Sequence, residues 1–236
     1  MLPIAILAGG LATRLRPITE KIPKSLIEIN GQPFIFHQLR LLRANGIHRV
    51  VICVGHLGEM IRDVVGEGST LDMKVDYSFD GPVLLGTAGA IQNALPKLGS
   101  AFFVIYGDSY LPCNYVDVLS AFEYSHAQAL MTVFRNEGKW DTSNVEFTGR
   151  EILAYSKQNR TPDMDFIDYG LGVFRADAFA SVPARKSHDL ATLYQNLLRR
   201  GQLAGFEVRE RFYEIGSPEG LKETSDFLAS QRLSGQ

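Results

Sequence analysis

Two adjacent glycines followed by basic residues mark the first place in this chain where chemistry is expected. Gly9 and Gly10 follow an apolar run, and Arg14 and Lys24 lie downstream in a segment interrupted by prolines. Glycine lets a backbone turn sharply and approach a ligand closely, and the prolines disfavour a helix there. Free backbone N–H groups beside Arg and Lys bind phosphate oxygens. The pattern therefore predicts a loop that holds a polyphosphate.

The two best-known phosphate-binding loops do not fit this segment. A P-loop has the pattern G-x-x-x-x-G-K-S/T, whereas Gly9 and Gly10 are adjacent and Lys24 lies far along the chain. The dinucleotide fingerprint G-x-G-x-x-G also fails over residues 9–14, which disfavours a dinucleotide-dependent oxidoreductase. A glycine turn that carries solvated basic residues stays open as the simpler interpretation.

Two carboxylates further along the chain are candidate metal ligands. Asp108 follows a glycine at the end of an apolar run, where a carboxylate can reach a Mg²⁺ ion that holds phosphate oxygens. The alternative interpretation is that Asp108 only starts a turn. Glu214 stands shortly before Pro218, at a predicted helix start, where negative charge is favourable without any metal.

The elements that would position these residues alternate between strand and helix in the first half of the chain. Apolar runs predict strands at 4–7, 49–54, 73–77 and 101–106, and helical periodicity predicts helices at 34–43, 58–65 and 86–98. Such alternation is typical of an α/β fold with a parallel sheet covered by helices on both faces. Because ligands bind beyond the C-terminal ends of such strands, we expect the glycine loop and Asp108 to face one cleft.

The pattern changes to short strands after about residue 126. Strands are predicted at 130–134, 145–147, 152–155, 169–174, 203–208 and 212–215, and helices at 190–198 and 218–229. We expect one mixed α/β domain over residues 1–236, in which the second half adds an antiparallel subregion over the sheet.

Composition excludes several classes of partner. The 236 residues are 45% hydrophobic and 21% charged, with a net charge of −2 and no long run of one sign. This argues against nucleic acid or a membrane surface as the main partner, and no apolar run approaches the ~20 residues that span a bilayer. Cys53 and Cys113 lie in separate segments and are predicted to be reduced, which favours a cytoplasmic location.

The first loop belongs to a longer pattern that resembles a known family. The signature of the sugar-1-phosphate nucleotidyltransferases reads L-A-G-G-x-x-T-R-L-x-P-x-T, then P-K, then G-x-P. This chain has its parts at residues 7–10, 13–15, 17, 19, 23–24 and 31–33. The chain looks most like the short single-domain members, the bacterial heptose-1-phosphate guanylyltransferases. The resemblance implies a Rossmann-like nucleotidyltransferase fold, with a mixed, mostly parallel sheet and helices on both faces.

The resemblance also assigns roles to individual residues. The implied catalytic residues are Arg14, Lys24 and Asp108, and the implied metal ligands are Asp108 and Glu214. The implied nucleotide-binding residues are Leu7, Ala8, Gly9, Gly10 and Thr13 in the first loop, and Gly86, Thr87, Ala88 and Gly89 in a second loop that contacts the base. The implied sugar-phosphate-binding residues are Asn144, Lys157, Tyr169 and Gly170. A nucleotide-binding half over about 1–126 and a sugar-phosphate-binding half over about 127–236 follow from this division.

Several positions depart from the family pattern. Glu214 and Ser217 stand where Asp and Thr are usual, and Lys157 is flanked by Ser and Gln rather than Glu and Pro. The departures lie mainly among the residues assigned to the sugar, so they leave the identity of the sugar open.

The resemblance predicts a Mg²⁺-dependent enzyme that joins an NTP to a sugar 1-phosphate and releases pyrophosphate. GTP is the favoured nucleotide, and D-glycero-D-manno-heptose 1-phosphate or a mannose-like sugar phosphate is the favoured acceptor. One alternative is a uridylyl- or thymidylyltransferase that acts on a hexose or amino-sugar 1-phosphate. An alternative of another class is a non-catalytic nucleotide-sugar sensor on the same fold. A homodimer is one option for its assembly.

Overall fold

The computed structural model describes residues 1–10 and 13–234 of the chain, with the backbone alone at Thr13 and at 232–234. The strands within this part are β1 Ile4–Leu7, β2 Glu28–Ile29, β3 Gln32–Pro33, β4 Arg49–Val54, β5 Lys74–Phe79, β6 Ala101–Tyr106, β7 Ser109–Tyr110, β8 Ala129–Arg135, β9 Val145–Phe147, β10 Ile152–Tyr155, β11 Phe166–Arg175, β12 Leu203–Val208 and β13 Tyr213–Glu214. The α-helices are α1 Phe34–Ala44, α2 Gly58–Val65, α3 Gly86–Leu98, α4 Tyr115–Ser125, α5 Leu190–Arg199 and α6 Pro218–Ser234.

Nine of the described strands form one sheet that contains strands from both halves of the sequence. Its main path runs β10-β9-β11-β6-β1-β4-β5, and β8 pairs with β11 and carries β12 on its other side. Strands β6, β1, β4 and β5 are parallel neighbours, while β11 is antiparallel to both β6 and β8. The predicted α/β class with a mixed, mostly parallel sheet is confirmed.

Helices cover both faces of this sheet because alternate strand residues point to opposite sides. On one face, Ile4 and Ile6 of β1 pack in the same cluster as apolar residues of α1, α2 and α4. On the other face, Ala5 of β1 packs in the same cluster as residues of α3 and α5. Cys53 and Cys113 are both buried and unpaired, as predicted.

Two expectations about the second half need correction, and one helix at the end of the first half was not predicted. The antiparallel strands do not lie over the sheet but extend it, because residues 171–175 of β11 pair directly with β6. The predicted strand at 212–215 is reduced to the two residues of β13, which pair with β7 outside the main sheet. Helix α4 was not predicted, although Asn114 caps it by accepting hydrogen bonds from the backbone N–H groups of Val116 and Asp117.

The sheet positions the predicted site through the parallel register of β1 and β6. Leu7, the last residue of β1, lies opposite Tyr106, the last residue of β6. The glycine loop after β1 and the Gly107–Asp108 turn after β6 therefore leave the sheet side by side. In the described chain, no helix is both long and apolar enough to cross a bilayer.

Candidate active site

A cleft with a volume of about 240 Å³ lies at the C-terminal ends of the parallel strands. Eight of the residues predicted for nucleotide, metal or catalytic roles line it: Leu7, Ala8, Gly9, Gly10, Lys24, Gly86, Thr87 and Asp108. Six further residues that line it were not assigned roles from the sequence: Ser25, Asp80, Leu84, Ala90, Tyr106 and Gly107. The expectation that the first loop and Asp108 face one cleft is met.

Glycines allow three strand ends to come together at the floor of this cleft. A Cβ on Gly9 would lie 3.1 Å from the Gly55 nitrogen, and a Cβ on Gly107 would lie 3.0 Å from the Leu7 oxygen. Both distances are tighter than ordinary contacts, so these positions require glycine for packing. Gly10 differs, because among the described residues beyond its chain neighbours no atom lies within 4 Å of the position its Cβ would take. Gly10 is therefore the glycine that leaves open space for a ligand.

An ion pair joins two of the predicted catalytic residues. The ammonium of Lys24 lies 2.8 Å from Oδ2 of Asp108, and the two side chains are 16% and 32% exposed. Gln38 of α1 supports the turn that carries Asp108 by donating hydrogen bonds to the carbonyls of Tyr106 at 2.8 Å and Ser109 at 2.6 Å. Sequence reasoning missed Gln38, since a buried glutamine on an apolar helix face gives no signal of what it holds.

Glu214 reaches the same place from β13, which pairs with β7 directly after Asp108. Its carboxylate accepts hydrogen bonds from the backbone N–H of Gly216 and from the Ser217 hydroxyl. A Cβ on Gly216 would contact the Glu214 carboxylate and lie 3.3 Å from Lys24 Nζ and 3.6 Å from Asp108 Oδ2. The two carboxylates and the ammonium thus surround one glycine, which keeps the space between them free of side-chain atoms.

The donor set at this point suits a hard divalent cation. Asp108 and Glu214 offer carboxylate oxygens, the ligands that Mg²⁺ prefers, and this ion commonly takes one or two carboxylates together with substrate phosphates and water. Within the described residues, no group of three or more His, Cys, Asp or Glu side chains could hold a metal by itself. The protein therefore supplies at most part of a coordination shell here.

The second glycine loop, at the start of α3, packs against a neighbouring segment, while Gly86 and Thr87 also line the cleft. A Cβ on Gly86 would lie 2.7 Å from the His188 oxygen, and a Cβ on Gly89 would lie 2.6 Å from the Lys186 oxygen. The His188 carbonyl also accepts hydrogen bonds from the backbone N–H groups of Ala88 and Gly89 at 2.9 and 3.3 Å. The N–H groups of Ala88 and Gly89 are therefore bonded to the segment at 186–189, and these two residues are not among those that line the cleft.

Thr87 lines the cleft and also forms hydrogen bonds with the start of α5. Its hydroxyl donates to Oδ1 of Asp189 at 2.9 Å and accepts from the Leu190 N–H at 2.7 Å. Asp189 is in turn the N-cap of α5, where its side chain accepts from the Ala191 N–H. The start of α3 and the start of α5 are therefore tied together beside the cleft.

The residues predicted for the sugar phosphate separate into two groups. Gly170, in a left-handed conformation with φ of 99°, would bring a Cβ within 3.6 Å of Tyr106, and the Lys157 ammonium lies 5.8 Å from the centre of the Tyr106 ring. Tyr106 lines the cleft, so both residues lie beside it. Asn144 instead accepts a hydrogen bond from the Asp168 N–H at 2.9 Å and supports the backbone.

Tyr169 is placed away from the sugar side. Its ring is 3% exposed and packs against Phe134 and Phe212 in the cluster on the other face of the sheet. Consecutive residues of a strand alternate between the two faces of the sheet, so the Tyr169 side chain lies in the core on one face while the backbone of Gly170 approaches Tyr106 beside the cleft. The assignment of the Tyr169 side chain to the sugar phosphate is therefore corrected.

Two predicted residues of the first loop have less support. Arg14 lies in the 3-10 turn Thr13–Leu15, is exposed, and is not among the residues that line the cleft. The side chain of Thr13 lies outside the described part of the chain.

Asp80 is the most informative residue that sequence reasoning missed. It follows β5, lines the cleft, and accepts a hydrogen bond from the Leu85 N–H at 3.1 Å. Burial raises the pKa of the Asp80 carboxyl above its usual value, and the Leu85 hydrogen bond opposes this. The signal available in the sequence was an acidic residue at the end of an apolar strand, the same one that pointed to Asp108.

Comparison with known sequences decides the family. Residues 4–231 match the nucleotidyl transferase family. The chain belongs to this family. The resemblance carried by the first loop is thereby confirmed, and with it the prediction of an enzyme of the sugar-1-phosphate nucleotidyltransferase type.

The names of the relatives of this nucleotidyl transferase specify different substrates. This chain is 29% identical to the N-acetylmuramate alpha-1-phosphate uridylyltransferase of Neisseria meningitidis serogroup B, over 92% of this chain and 94% of that protein. It is 27% identical to a mannose-1-phosphate guanyltransferase of Neurospora crassa, over 98% of this chain but only 65% of that longer protein. The sequence comparisons therefore support the reaction class and leave the base and the sugar open.

A solved structure shows the same fold. HddC from Yersinia pseudotuberculosis, crystallised with GMP-PN, superposes with a TM-score of 0.80 over 97% of this chain and all of that chain, at 23% identity. At this identity the superposition confirms the Rossmann-like architecture and does not transfer a substrate.

Proposed function

We propose that this protein transfers a guanylyl group from GTP to a heptose 1-phosphate or mannose-like sugar 1-phosphate and releases pyrophosphate. The family supplies the reaction class, which is nucleotidyl transfer to a sugar phosphate. A phosphate oxygen of the sugar attacks the α-phosphorus of the nucleotide in line with the departing pyrophosphate, and no covalent protein intermediate is required. Catalysis of this kind depends on positioning and on neutralising phosphate charge.

The residues of the cleft divide these tasks. The Lys24 ammonium neutralises charge on the α-phosphate, which requires it to share or leave its ion pair with Asp108. Lys157, beside Tyr106, orients the incoming sugar phosphate. The open space in front of Gly10 accommodates phosphate oxygens close to the backbone. Arg14, which is exposed in the 3-10 turn Thr13–Leu15, acts on the charge of the pyrophosphate through its long guanidinium side chain.

Asp108 and Glu214 are the residues that would hold a divalent cation. Their oxygens flank the space at Gly216, which fits a small hard ion. A bound Mg²⁺ would supply charge neutralisation at the phosphates. Both carboxylates already have partners, since Glu214 accepts hydrogen bonds from Gly216 and Ser217 and Asp108 pairs with Lys24, so each would share its oxygens with a bound cation.

Asp80 is the observation that carries the choice of guanine. A carboxylate is an acceptor with two oxygens, and the Watson–Crick edge of guanine presents two adjacent donors, N1–H and the N2 amino group. Uracil and thymine present one N–H between two carbonyl oxygens that a carboxylate repels. Adenine and cytosine present an amino group beside an acceptor nitrogen. Guanine is therefore the base whose edge best complements Asp80 in the cleft.

Uridylyl transfer is the second candidate, and one observation favours it. The relative that matches this chain over nearly the whole of both proteins is a uridylyltransferase. The non-catalytic sensor has no comparable support, because the cleft keeps both Lys24 and Asp108.

The test is a matrix of four NTPs against neutral and acidic sugar 1-phosphates, read by pyrophosphate release. We expect GTP with a mannose-like sugar to be fastest. Asp80→Asn should lower kcat/KM for GTP about tenfold to hundredfold, because a hydrogen bond to a charged group contributes about 1.5–3 kcal/mol, and it should lower the GTP-to-UTP ratio. Asp63→Asn, which removes an exposed carboxylate on α2, is the control for net charge.

The outcomes separate the candidates. Fastest release with UTP, or an unchanged GTP-to-UTP ratio in Asp80→Asn, would contradict the guanine assignment while leaving the reaction class intact. Nucleotide binding without pyrophosphate release from any pair would favour the sensor. A homodimer and a cytoplasmic location remain predictions, and the second agrees with the two unpaired buried cysteines.

A further inference from the structure

Asp168 is a carboxylate beside the cleft that neither the family signature nor the proposed mechanism uses. It lies on β11, where the register with β8 shifts between Asp168 and Gly172. One of its oxygens accepts from the Gly170 N–H at 3.1 Å, and the other lies 3.3 Å from the Tyr155 hydroxyl. Its own N–H donates to Asn144. The carboxylate is thus held by its own strand and by Tyr155 of β10, while Asn144 holds the backbone of Asp168.

The Asp168 carboxylate also interacts electrostatically with Lys157 and Tyr106, the two residues beside which we place the sugar phosphate. Burial raises the pKa of Asp168, and the positive charge of Lys157 acts against that rise. Asp168 and Asp189 both raise the pKa of Tyr106, beyond the larger effect of its burial. Tyr106 lines the cleft and carries Lys157 over its ring. The proposed place of the sugar therefore has one cation for the phosphate and two carboxylates nearby.

We propose that Asp168 determines which sugar 1-phosphates are accepted, by binding hydroxyl or amino donors of the sugar and rejecting sugars that carry a carboxylate. This proposal rests on the proposed function, since it requires the cleft to take a sugar 1-phosphate. Asp168 is a specificity residue and takes no part in the transfer itself.

The chemistry of the group supports this role. An ionised carboxylate only accepts hydrogen bonds and has about four lone-pair positions. Gly170 and Tyr155 each occupy one of them, so positions remain for donors from a ligand. A sugar hydroxyl or ammonium can fill them, whereas a sugar carboxylate cannot donate and brings like charge close to Asp168 and Asp189, which is unfavourable at a poorly solvated site.

The experiment compares two acceptors that differ only at one substituent, which is a neutral hydrogen-bond donor in one and an anionic acceptor in the other. Mannose 1-phosphate and mannuronic acid 1-phosphate carry a hydroxymethyl group and a carboxylate, respectively, at the same carbon. We expect the wild type, given the NTP that it uses fastest, to prefer the neutral sugar by at least a hundredfold in kcat/KM. Asp168→Asn should lower this ratio at least tenfold, mainly by lowering KM for the acidic sugar, whereas Asp63→Asn should leave the ratio unchanged.

Two further measurements complete the test: the acid-to-neutral preference of Asp189→Asn and the thermal stability of Asp168→Asn. Asp189→Asn keeps an N-cap residue for α5 and should lower the same ratio by a smaller factor. Because burial raises the pKa of Asp168, its ionised form destabilises the folded protein above the folded-state pKa, and this cost disappears as the pH falls below the unfolded-state pKa. Asp168→Asn should therefore have a Tm at pH 7 no lower than that of the wild type, with its advantage shrinking in acid.

The result that overturns this proposal differs from the one that overturns the proposed function. Pyrophosphate release with an equal acid-to-neutral ratio in wild type and Asp168→Asn would leave the enzyme in place and remove the role of Asp168. A wild type that prefers the acidic sugar would do the same. No release from any pair of NTP and sugar 1-phosphate would overturn both.

Discussion

The two glycine loops of this protein look alike in sequence and both contribute to the cleft, but a Cβ added to their glycines would meet different surroundings. Gly10, in the loop after β1, faces open space inside the cleft. Gly86 and Gly89, at the start of α3, face the backbone of 186–189 at distances that exclude any Cβ. Glycine allows something to come close to the backbone; at the second loop this is the protein's own segment 186–189, whereas at the first loop we propose that it is the phosphate chain of the nucleotide.

The largest effect is expected at the ion pair of Lys24 and Asp108, which lies beside the first loop. Asp108→Asn keeps the shape of the side chain and removes its charge, so kcat should fall by about a hundredfold to a thousandfold, the scale for loss of one electrostatic stabiliser. Steady-state pyrophosphate release at saturating Mg²⁺ measures this, and thermal unfolding should show an unchanged fold. Wild-type turnover by Asp108→Asn would mean that the open loop does not face the chemistry.

Gly89→Ala tests the second loop through stability. The added methyl group would meet the Lys186 carbonyl at 2.6 Å, and a backbone atom cannot move aside as a flexible side chain can. Overpacking of this kind costs about 1–3 kcal/mol, offset by less than about 1 kcal/mol from the better helix propensity of Ala. Urea unfolding should show the loss, while kcat/KM for the folded variant stays close to wild type. A variant as stable as wild type with weakened nucleotide binding would show that Gly89 faces the ligand after all.

Thr87→Val gives a smaller effect at the junction of α3 and α5. It removes the hydrogen bond to Asp189 and leaves the Leu190 N–H without its acceptor. We expect a loss of about 1 kcal/mol in the free energy of unfolding, which a double-mutant cycle with Asp189→Ala would assign to the pair. Strictly additive effects of the two substitutions would show that the hydrogen bond between Thr87 and Asp189 does not stabilise the junction of α3 and α5.

Gly10→Ala should have the smallest effect on stability and is the matched control for Gly89→Ala. With nothing within 4 Å of the added carbon, the free energy of unfolding should change by no more than about 0.5 kcal/mol. KM for the nucleotide should nevertheless rise, because the methyl group takes space that the phosphates would use. A large loss of stability with an unchanged KM would reverse the assignment of the two loops.

Sequence reasoning succeeded where a local pattern has one structural solution. The apolar runs of β1, β4 and β6 are buried on both faces of a parallel sheet, so they were found close to their observed bounds. It failed at β13, whose run of residues resembles a strand but pairs only with the two residues of β7. It also failed for α4, where the Asn114 cap and the positions of Val118 and Phe122 were sufficient signals that were not used.

The candidate site likewise contains residues that were predicted from the sequence and residues that were missed or misplaced. Lys24 and Asp108 were predicted, and they meet as an ion pair across 84 positions of sequence. Asp80 and Asp168 were not assigned roles, because an isolated Asp after a strand or within one usually has only a turn or surface role. Tyr169 was assigned to the sugar and lies in the opposite core, since its motif gave the neighbourhood and not the face.

The amino-acid sequence by itself determined the family, the α/β class and the loop that opens the cleft, because these follow from residue types at short spacing. Only the tertiary structure decided that Gly86 and Gly89 pack against 186–189 and that the Glu214 carboxylate accepts hydrogen bonds from Gly216 and Ser217. It alone placed Asp80 in the cleft and brought Asp168 into contact with Tyr155. The physical reason is that contacts between distant segments depend on register and on which face a side chain takes, and a shift of one residue reverses that face.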